Sequence, residues 1–215
     1  MNIYVIRHGE TDWNITRKLQ GQVDRPLNEF GRDIARQTRE GLPEDFHIDV
    51  CISSPLSRAK ETAEILLEGQ DVPIYTDDRL KEISFGMYEG MIFSRGESEI
   101  PDQFYDDFAR PEIYPAPAGG EDFYQITARV RSFMEELYTK EEYQDKNVLL
   151  AAHGVTVCAI VTVVTGRDMS DFWGNGVHKN CGMTLVEVKD QKARLVFENK
   201  TFCKTKLKDW YPPVK

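Results

Sequence analysis

Short apolar runs alternate with amphipathic segments along the chain, and each run is long enough for one buried strand. Six such runs lie at residues 3–6, 48–52, 73–76, 147–152, 184–188 and 193–197. The last two flank Asp190-Gln191, and this pattern predicts a β-hairpin. Most of the earlier runs are followed by a helical pattern, which favours parallel strands joined by helices.

Four main helices are predicted, the second and third from apolar residues at helical spacing and the fourth as a helix that is apolar nearly all round. They lie at residues 32–42, 55–67, 122–137 and 155–165. The second helix is predicted to begin with Ser54 as its N-cap and Pro55 at its first position. Strands that alternate with helices predict an α/β fold, a three-layer α/β/α arrangement with a mostly parallel central sheet.

Residues 84–118 break this alternation. The segment mixes glycine, proline and aromatic residues with acids, which predicts an irregular or helical lid inserted into the fold. No linker rich in Ser, Gly or Pro divides the chain, so residues 1–215 are expected to form a single domain. The four cysteines lack C-x-x-C spacing and are expected to be reduced, as in a cytoplasmic protein.

Charge narrows the class of partner. The chain has 27 basic and 36 acidic residues and a net charge of −9, which argues against nucleic acid and anionic membranes as partners. Its start lacks the pattern of a signal peptide, and no apolar run reaches transmembrane length. A small-molecule partner is therefore expected. A homodimer is left open, with no motif to support it.

Three polar clusters follow the carboxyl ends of predicted strands. They are Arg7-His8, the turn from Ser54 to Arg58, and His153-Gly154. The carboxyl ends of parallel strands share one edge of a sheet, so the clusters are expected to meet in one pocket. Arg58 lies in the first turn of its helix, where a cation is unfavourable. It is either an exposed residue tolerated at small cost or a functional one.

The chemistry of this pocket favours an anion. Two arginines and two helix N-termini offer more donors than a carboxylate uses, and they match a phosphoryl group. A neutral imidazole can attack phosphorus, and His8 is the better candidate because it ends a central strand beside Arg7. The alternative is a metal site made of His8, His153 and Glu82. The arginines oppose it, since they would repel a divalent cation.

The order and spacing of these residues resemble the histidine phosphatase superfamily, also called phosphoglycerate mutase-like, from residue 1 to about residue 200. The resemblance is carried by Arg7-His8-Gly9, Thr11, Asn14, Gln20-Gly21, Asp24, Pro26-Leu27, Gly31, Arg58, Glu82 and His153-Gly154. It implies that His8 is phosphorylated during turnover and that Glu82 is the general acid and base. It implies no metal and no cofactor.

The resemblance also implies which residues hold the phosphoryl group. Arg7, Arg58 and His153 are expected to be catalytic, because they stabilise the charge that develops during transfer. The wider phosphate-binding set is expected to contain Arg7, Asn14, Gln20, Gly21, Arg58, His153 and Gly154. His178 either lines the rim of the pocket or is a plain loop residue.

The segment after Glu82 bears on whether the chain is a phosphatase or a mutase. Residues 85–90 read Phe-Gly-Met-Tyr-Glu-Gly, which resembles the phosphatase branch. Between Phe85 and Tyr124, two basic and nine acidic residues give a net charge of −7, which opposes a second anionic group on the substrate. We therefore expect a metal-independent phosphomonoesterase of the histidine acid phosphatase type. A cofactor-dependent phosphoglycerate mutase and a non-catalytic phosphate-binding module are the alternatives.

Nine aromatic residues in the same segment suggest a substrate with a neutral or apolar body, such as a sugar, nucleoside or ribazole phosphate. They are Phe85, Tyr88, Phe93, Phe104, Tyr105, Phe108, Tyr114, Phe123 and Tyr124. The alternative is that these rings pack the insertion onto the rest of the domain.

Overall fold

A computed structural model describes residues 1–96 and 99–207 of the chain. The predicted domain and lid extend over residues 97–98 and 208–215, which lie outside the described residues. The strands are β1 (Asn2–Arg7), β2 (Val50–Ser53), β3 (Ile74–Thr76), β4 (Asn147–Ala152), β5 (Met183–Lys189) and β6 (Lys192–Lys200). The α-helices are α1 (Asp12–Ile15), α2 (Glu29–Gly41), α3 (Ser57–Leu66), α4 (Asp102–Phe108), α5 (Phe123–Thr139) and α6 (Gly154–Thr165).

These six strands form one sheet in the order β3-β2-β4-β1-β5-β6. The three pairs from β3 to β1 are parallel, and β5 and β6 add an antiparallel hairpin beside β1. Asp190 and Gln191 turn that hairpin with φ of 50° and 59°. The predicted α/β fold, with a mostly parallel sheet flanked by helices, is confirmed.

Apolar side chains cover both faces of the sheet. Ile3 and Val5 of β1 belong to a buried cluster that includes Val130 of α5. Ile6 belongs to a second cluster, which includes Ile34 of α2. Because β1 is covered on both faces, the polar residues that follow it are carried by a rigid, central strand.

Helix α6 is the most apolar helix that follows a strand of the sheet. It begins directly after His153 and ends at Thr165. Its C-cap is Gly166, whose φ of 68° lies in the left-handed region that suits glycine. In the described part of the chain, no helix combines the length and the apolar character that crossing a membrane requires.

Helix α3 begins later than predicted. Its first residue is Ser57 rather than Pro55, and no side chain of its own caps it. Instead, Asp24 accepts from the Ser57 backbone N–H over 2.8 Å and from its hydroxyl over 2.7 Å. Ser54 Oγ accepts from the amide of Leu56 over 3.3 Å and from His153 Nε2 over 2.8 Å. Ser54 is nevertheless not the N-cap, because the helix begins at Ser57 and Leu56 takes the N-cap position.

The insertion is packed by its own aromatic rings. The ring of Phe108 in α4 has its centroid between 5.1 and 5.7 Å from those of Phe85, Tyr114, Phe123 and Trp173. The buried rings of the segment are Phe85, Phe104, Phe108, Tyr114 and Phe123. The packing interpretation holds for these five rings, and the hypothesis that rings of this segment contact the substrate stays a prediction.

Candidate active site

The three polar clusters meet at one edge of the sheet. Arg7 ends β1 beside Ala152, the last residue of β4, so the loops that follow these strands start side by side. The rings of His8 and His153 have centroids 5.2 Å apart. Arg58 Nε donates to His153 Nδ1 over 3.1 Å. The predicted convergence is observed, while the roles of the residues stay predictions.

His8 is 3% exposed and has one ring nitrogen committed to the backbone. Its Nδ1 lies 2.6 Å from the carbonyl oxygen of Gly9. A carbonyl can only accept, so Nδ1 carries the proton and Nε2 carries the lone pair. Burial, followed by the charges of Arg58 and Arg7, holds the pKa of His8 well below its usual value of 6.5. The imidazole is therefore neutral.

Arg58 is fully buried and holds three groups at once. Its Nη1 donates to the carbonyl of Val23 over 3.0 Å, its Nη2 to that of Gly21 over 2.7 Å, and its Nε to His153. Because His153 Nδ1 accepts, Nε2 carries the proton and donates to Ser54 Oγ over 2.8 Å. Burial and the charge of Arg58 lower the pKa of His153 well below 6.5.

Arg7 supplies the second buried cation of the site. Its Nη1 donates to the carbonyl oxygen of His178. Burial lowers the pKa of Arg7 and of Arg58 to about 10, although the carboxylate of Glu82 opposes the shift in both. Both guanidinium groups are therefore charged at neutral pH. Two cations outweigh one carboxylate, so the pocket favours an anion.

Glu82 lies at the N-terminus of α6, beside the loop that carries His153. Its Oε2 accepts from the backbone amide of Val155 over 3.1 Å. Its Oε1 accepts from the amide and the hydroxyl of Thr156, each over 3.1 Å, and from the amide of Ile83 over 3.1 Å. Backbone amides at a helix N-terminus attract negative charge, so the carboxylate is held in place from several sides.

Two glycines of the predicted phosphate-binding set allow close approach. A Cβ on Gly154 would lie 3.0 Å from Val177 Cγ1 and 3.6 Å from Arg7 Cζ. A Cβ on Gly21, whose φ is 50°, would lie 2.0 Å from Glu89 Oε1. A larger residue at position 21 would clash with Glu89, and one at position 154 would crowd Val177 and contact Arg7.

Asn14 and Gln20 are buried, but neither bonds to the central arginines or histidines. Asn14 Oδ1 accepts from the amide of Thr11 over 3.0 Å and from its hydroxyl over 3.2 Å, which closes the capping box of α1. Gln20 Oε1 has no hydrogen-bond partner among the described residues. The phosphate contacts predicted for these two side chains remain predictions.

Two residues from the loop before β5 support β1 and were not assigned to the site. Asn180 Nδ2 donates to the carbonyl of His8 over 2.9 Å. His178 lies in this loop and is fully buried, with Nε2 2.9 Å from Thr184 Oγ1. Burial lowers the pKa of His178 to about 3. Its carbonyl fixes Arg7.

Glu89 joins two loops of the site and was also missed. Its carboxylate accepts from the backbone amides of Gln22, Val23 and Phe85, each over 3.0 Å. The carbonyl of Val23 is one of the acceptors of Arg58, so Glu89 fixes part of the cradle of that guanidinium. Gln22 and Val23 are 67 and 66 residues away, and no local pattern indicates such a contact.

The donor set suits an anion better than a metal ion. Residues 1–96 and 99–207 contain no group of three His, Cys, Asp or Glu side chains spaced to hold a metal. His153 Nδ1 is occupied by Arg58, and the carboxylate of Glu82 is surrounded by N–H and O–H donors. Two of the three candidate metal ligands are therefore engaged within the protein, whereas Arg7 and Arg58 supply the positive charge that phosphoryl oxygens match.

Comparison with known proteins agrees with this geometry. A model of the histidine phosphatase superfamily (branch 1) matches residues 3–201. The chain is 36% identical over 166 residues to the uncharacterized phosphatase PhoE of Bacillus subtilis (strain 168), covering 77% of this chain and 78% of that one. It is 34% identical over 206 residues to the putative phosphoserine phosphatase 2 of Hydrogenobacter thermophilus, covering 95% and 97%. The solved structure of Bacillus stearothermophilus YhfR is similar, with a TM-score of 0.85, 30% identity and coverage of 93% and 97%.

Proposed function

The chain belongs to the histidine phosphatase superfamily and is a phosphatase-type hydrolase. From this premise, we propose that it hydrolyses small organic phosphomonoesters through a phosphohistidine on His8. One observation carries the proposal. The bond from His8 Nδ1 to the Gly9 carbonyl leaves Nε2 as the nucleophile, in a buried pocket where Arg7 and Arg58 attract a phosphoryl group.

In the first step, Nε2 of His8 attacks phosphorus and the bond from phosphorus to the ester oxygen breaks. The imidazole becomes cationic, and the Gly9 carbonyl stabilises it through Nδ1–H. Arg7 and Arg58 stabilise the non-bridging oxygens. Three of the five N–H donors of Arg58 are used within the protein, and two are left for the phosphoryl group. His153 orients Arg58 through Nδ1 and is itself held through Nε2–H by Ser54 Oγ.

The expelled oxygen needs a proton, and Glu82 supplies it in this mechanism. In the second step, Glu82 removes a proton from water, the water oxygen attacks phosphorus, and the bond from phosphorus to Nε2 breaks. The products are the alcohol and inorganic phosphate, and His8 returns to its neutral state.

Hydrolysis is favoured over mutase activity by the acidic segment that follows Glu82. A mutase must hold a second anionic group, and the net charge of −7 between Phe85 and Tyr124 opposes it. The aromatic rings give no argument for an apolar substrate, since most are buried. The relative named putative phosphoserine phosphatase 2 supports including L-phosphoserine among the test substrates, beside sugar phosphates, ribazole phosphate and 3-phosphoglycerate.

The test compares wild type, His8→Ala and His47→Ala. His47 is an exposed histidine outside the pocket and serves as the matched control. Hydrolysis of p-nitrophenyl phosphate is measured in EDTA, and the phosphoenzyme is trapped by an alkaline denaturing quench. We expect His8→Ala to lose about 10⁴-fold or more in kcat together with the phosphoenzyme, because no other group replaces the nucleophile. His47→Ala should resemble wild type.

Each other outcome has a defined meaning. Turnover that survives His8→Ala would contradict the phosphohistidine, and turnover lost in EDTA would contradict a metal-independent mechanism. Phosphate binding without any turnover on the whole substrate panel would favour the phosphate-binding module.

A further inference from the structure

Glu82 lies in a stretch without regular secondary structure, so its backbone needs partners from elsewhere. Those partners come mainly from Arg129 in α5. Nη1 of Arg129 donates to the carbonyls of Arg79 and Lys81 over 2.7 and 2.8 Å. Its Nη2 donates to the carbonyl of Glu82 over 3.0 Å. One guanidinium therefore holds three carbonyls of the stretch that ends at the proposed acid.

Glu121 fixes the orientation of that guanidinium. It accepts from Arg129 Nε over 2.8 Å and from Nη2 over 2.9 Å. All five N–H donors of Arg129 are thus used, three on carbonyls and two on the carboxylate. The side chains of Arg129 and Glu121 are only 18% and 21% exposed, and the bonds to Arg129 help hold the pKa of Glu121 below its usual value despite its burial.

The same ion pair reaches the chain on the other side of Glu82. Oε2 of Glu121 accepts from the backbone amide of Ser84 over 2.9 Å. Gln22 Nε2 donates to the carbonyl of Glu82 over 3.2 Å and approaches Oε2 of Glu121 at 3.5 Å. The backbone before and after the proposed acid is therefore bound to one pair of side chains, and that pair is linked to the loop around Arg58.

We propose that the Arg129–Glu121 ion pair positions Glu82 for proton transfer to the leaving group. The inference rests on the proposed function, because it takes Glu82 to be the acid. Neither side chain bonds to the carboxyl group of Glu82, so both act through the backbone and are positioning residues. In the first step, a misplaced carboxyl group slows only substrates whose leaving group needs its proton, whereas a merely loosened fold slows every substrate alike.

Leaving groups separate these two effects. The alkoxide expelled from glycerol 2-phosphate needs a proton, whereas p-nitrophenolate leaves without one. The losses are compared in kcat/KM, which covers formation of the phosphoenzyme and not the second step that all substrates share. We expect Arg129→Lys to lower kcat/KM on glycerol 2-phosphate by about 30- to 100-fold and on p-nitrophenyl phosphate by less than about 5-fold. Lysine keeps the charge but cannot replace a fork of five donors. Glu121→Gln should show the same pattern more weakly. Arg131→Lys, at an exposed position of the same helix, is the control.

A double variant tests whether Arg129 and Glu82 affect the same proton transfer. Glu82→Gln should itself be selective for the leaving group, and adding Arg129→Lys to it should cost little more, because both changes affect one proton transfer. Suppose that Glu82→Gln is selective for the leaving group. The inference is then overturned if the losses in the double variant are fully additive, or if Arg129→Lys alone shows equal losses on both substrates or no loss. Equal losses on both substrates in Glu82→Gln would overturn the acid assignment itself, and the inference with it.

Discussion

The strand-end edge and the aromatic insertion bury side chains equally well, but with opposite energetic signs. At the edge, Arg7, His8 and Arg58 are 6%, 3% and 0% exposed, and burial lowers the pKa of each because it disfavours the charged form. In the insertion, Phe104 and Phe108 are 8% and 5% exposed, and their burial removes apolar surface from water. A low exposed fraction therefore indicates a cost in the first region and a gain in the second.

This difference predicts how the regions respond to substitution. Burial of charged groups at the edge lowers the stability of the fold but places those groups where a substrate binds. Changes there should therefore lower activity more than stability. The insertion supplies stability, so changes to its rings should lower stability more than activity. Three measurements test this division, from the largest expected effect to the smallest.

Phe108→Ala should give the largest loss of stability. Phe108 contacts rings on the insertion, on α5 and in the loop after α6, and its truncation leaves a cavity. We expect a loss of about 3–5 kcal/mol in the free energy of unfolding, measured by urea titration. The kcat of the folded fraction should change little. Tyr124→Ala, at a position that is 54% exposed, should stay within about 0.5 kcal/mol of wild type. A kcat deficit in Phe108→Ala with unchanged stability would contradict the division.

Arg58→Lys should lower activity more than stability. Lysine cannot reach His153, Val23 and Gly21 together, so the cradle for the phosphoryl group is lost. We expect kcat on p-nitrophenyl phosphate to fall by about 10²- to 10³-fold, the loss typical for removal of one preorganised donor. Arg36→Lys, at an exposed position of α2, controls for the exchange of arginine for lysine. Full activity in Arg58→Lys would remove Arg58 from the mechanism.

The smallest effect is on the pH dependence of stability. The pKa of His8 and of His153 is well below 6.5 in the folded chain, and that of His178 is about 3. Below pH 6.5 the unfolded chain binds protons that the folded chain cannot, so stability falls as pH falls. Between pH 7 and pH 6 we expect each histidine to contribute about 0.7 kcal/mol, or about 2 kcal/mol together. Urea titrations at both pH values measure this, and equal stabilities would show that these imidazoles are not buried in their neutral form.

Local signals in the sequence were enough for the centre of the fold. β4 is observed at the predicted residues, and α6 starts at Gly154, one residue before the prediction. Both are single apolar segments bounded by polar residues, and such a segment can be recognised from the local sequence alone. The meeting of Arg7, Arg58 and His153 then followed from the rule that parallel strands share an edge.

Long-range hydrogen bonds account for what the sequence did not predict. Helix α3 begins at Ser57 because Asp24, 33 residues earlier, accepts from its amide. Ser54 accepts from the amide of Leu56, but its hydroxyl also binds His153, 99 residues later, and no local pattern indicates that second bond. Glu121 is one of 36 acidic residues in the sequence and is distinguished only by what folding places around it. The aromatic residues of the insertion suggested a binding surface by their composition, but five of the nine rings are buried in the structure.

The position of β1 in the sheet has a consequence for how the protein is made. Asn2 pairs with Asn147 of β4 and with Glu187 of β5, so both neighbours of β1 lie far along the chain. At about 5–20 residues per second, roughly 10–40 s separate the synthesis of β1 from that of β5. Until β4 is made, the apolar strand that precedes His8 has neither native partner, and it lacks one of the two until β5 follows. The first part of the pocket to be synthesised is the last to be enclosed, and a nascent chain that stalls before β5 exposes it to aggregation.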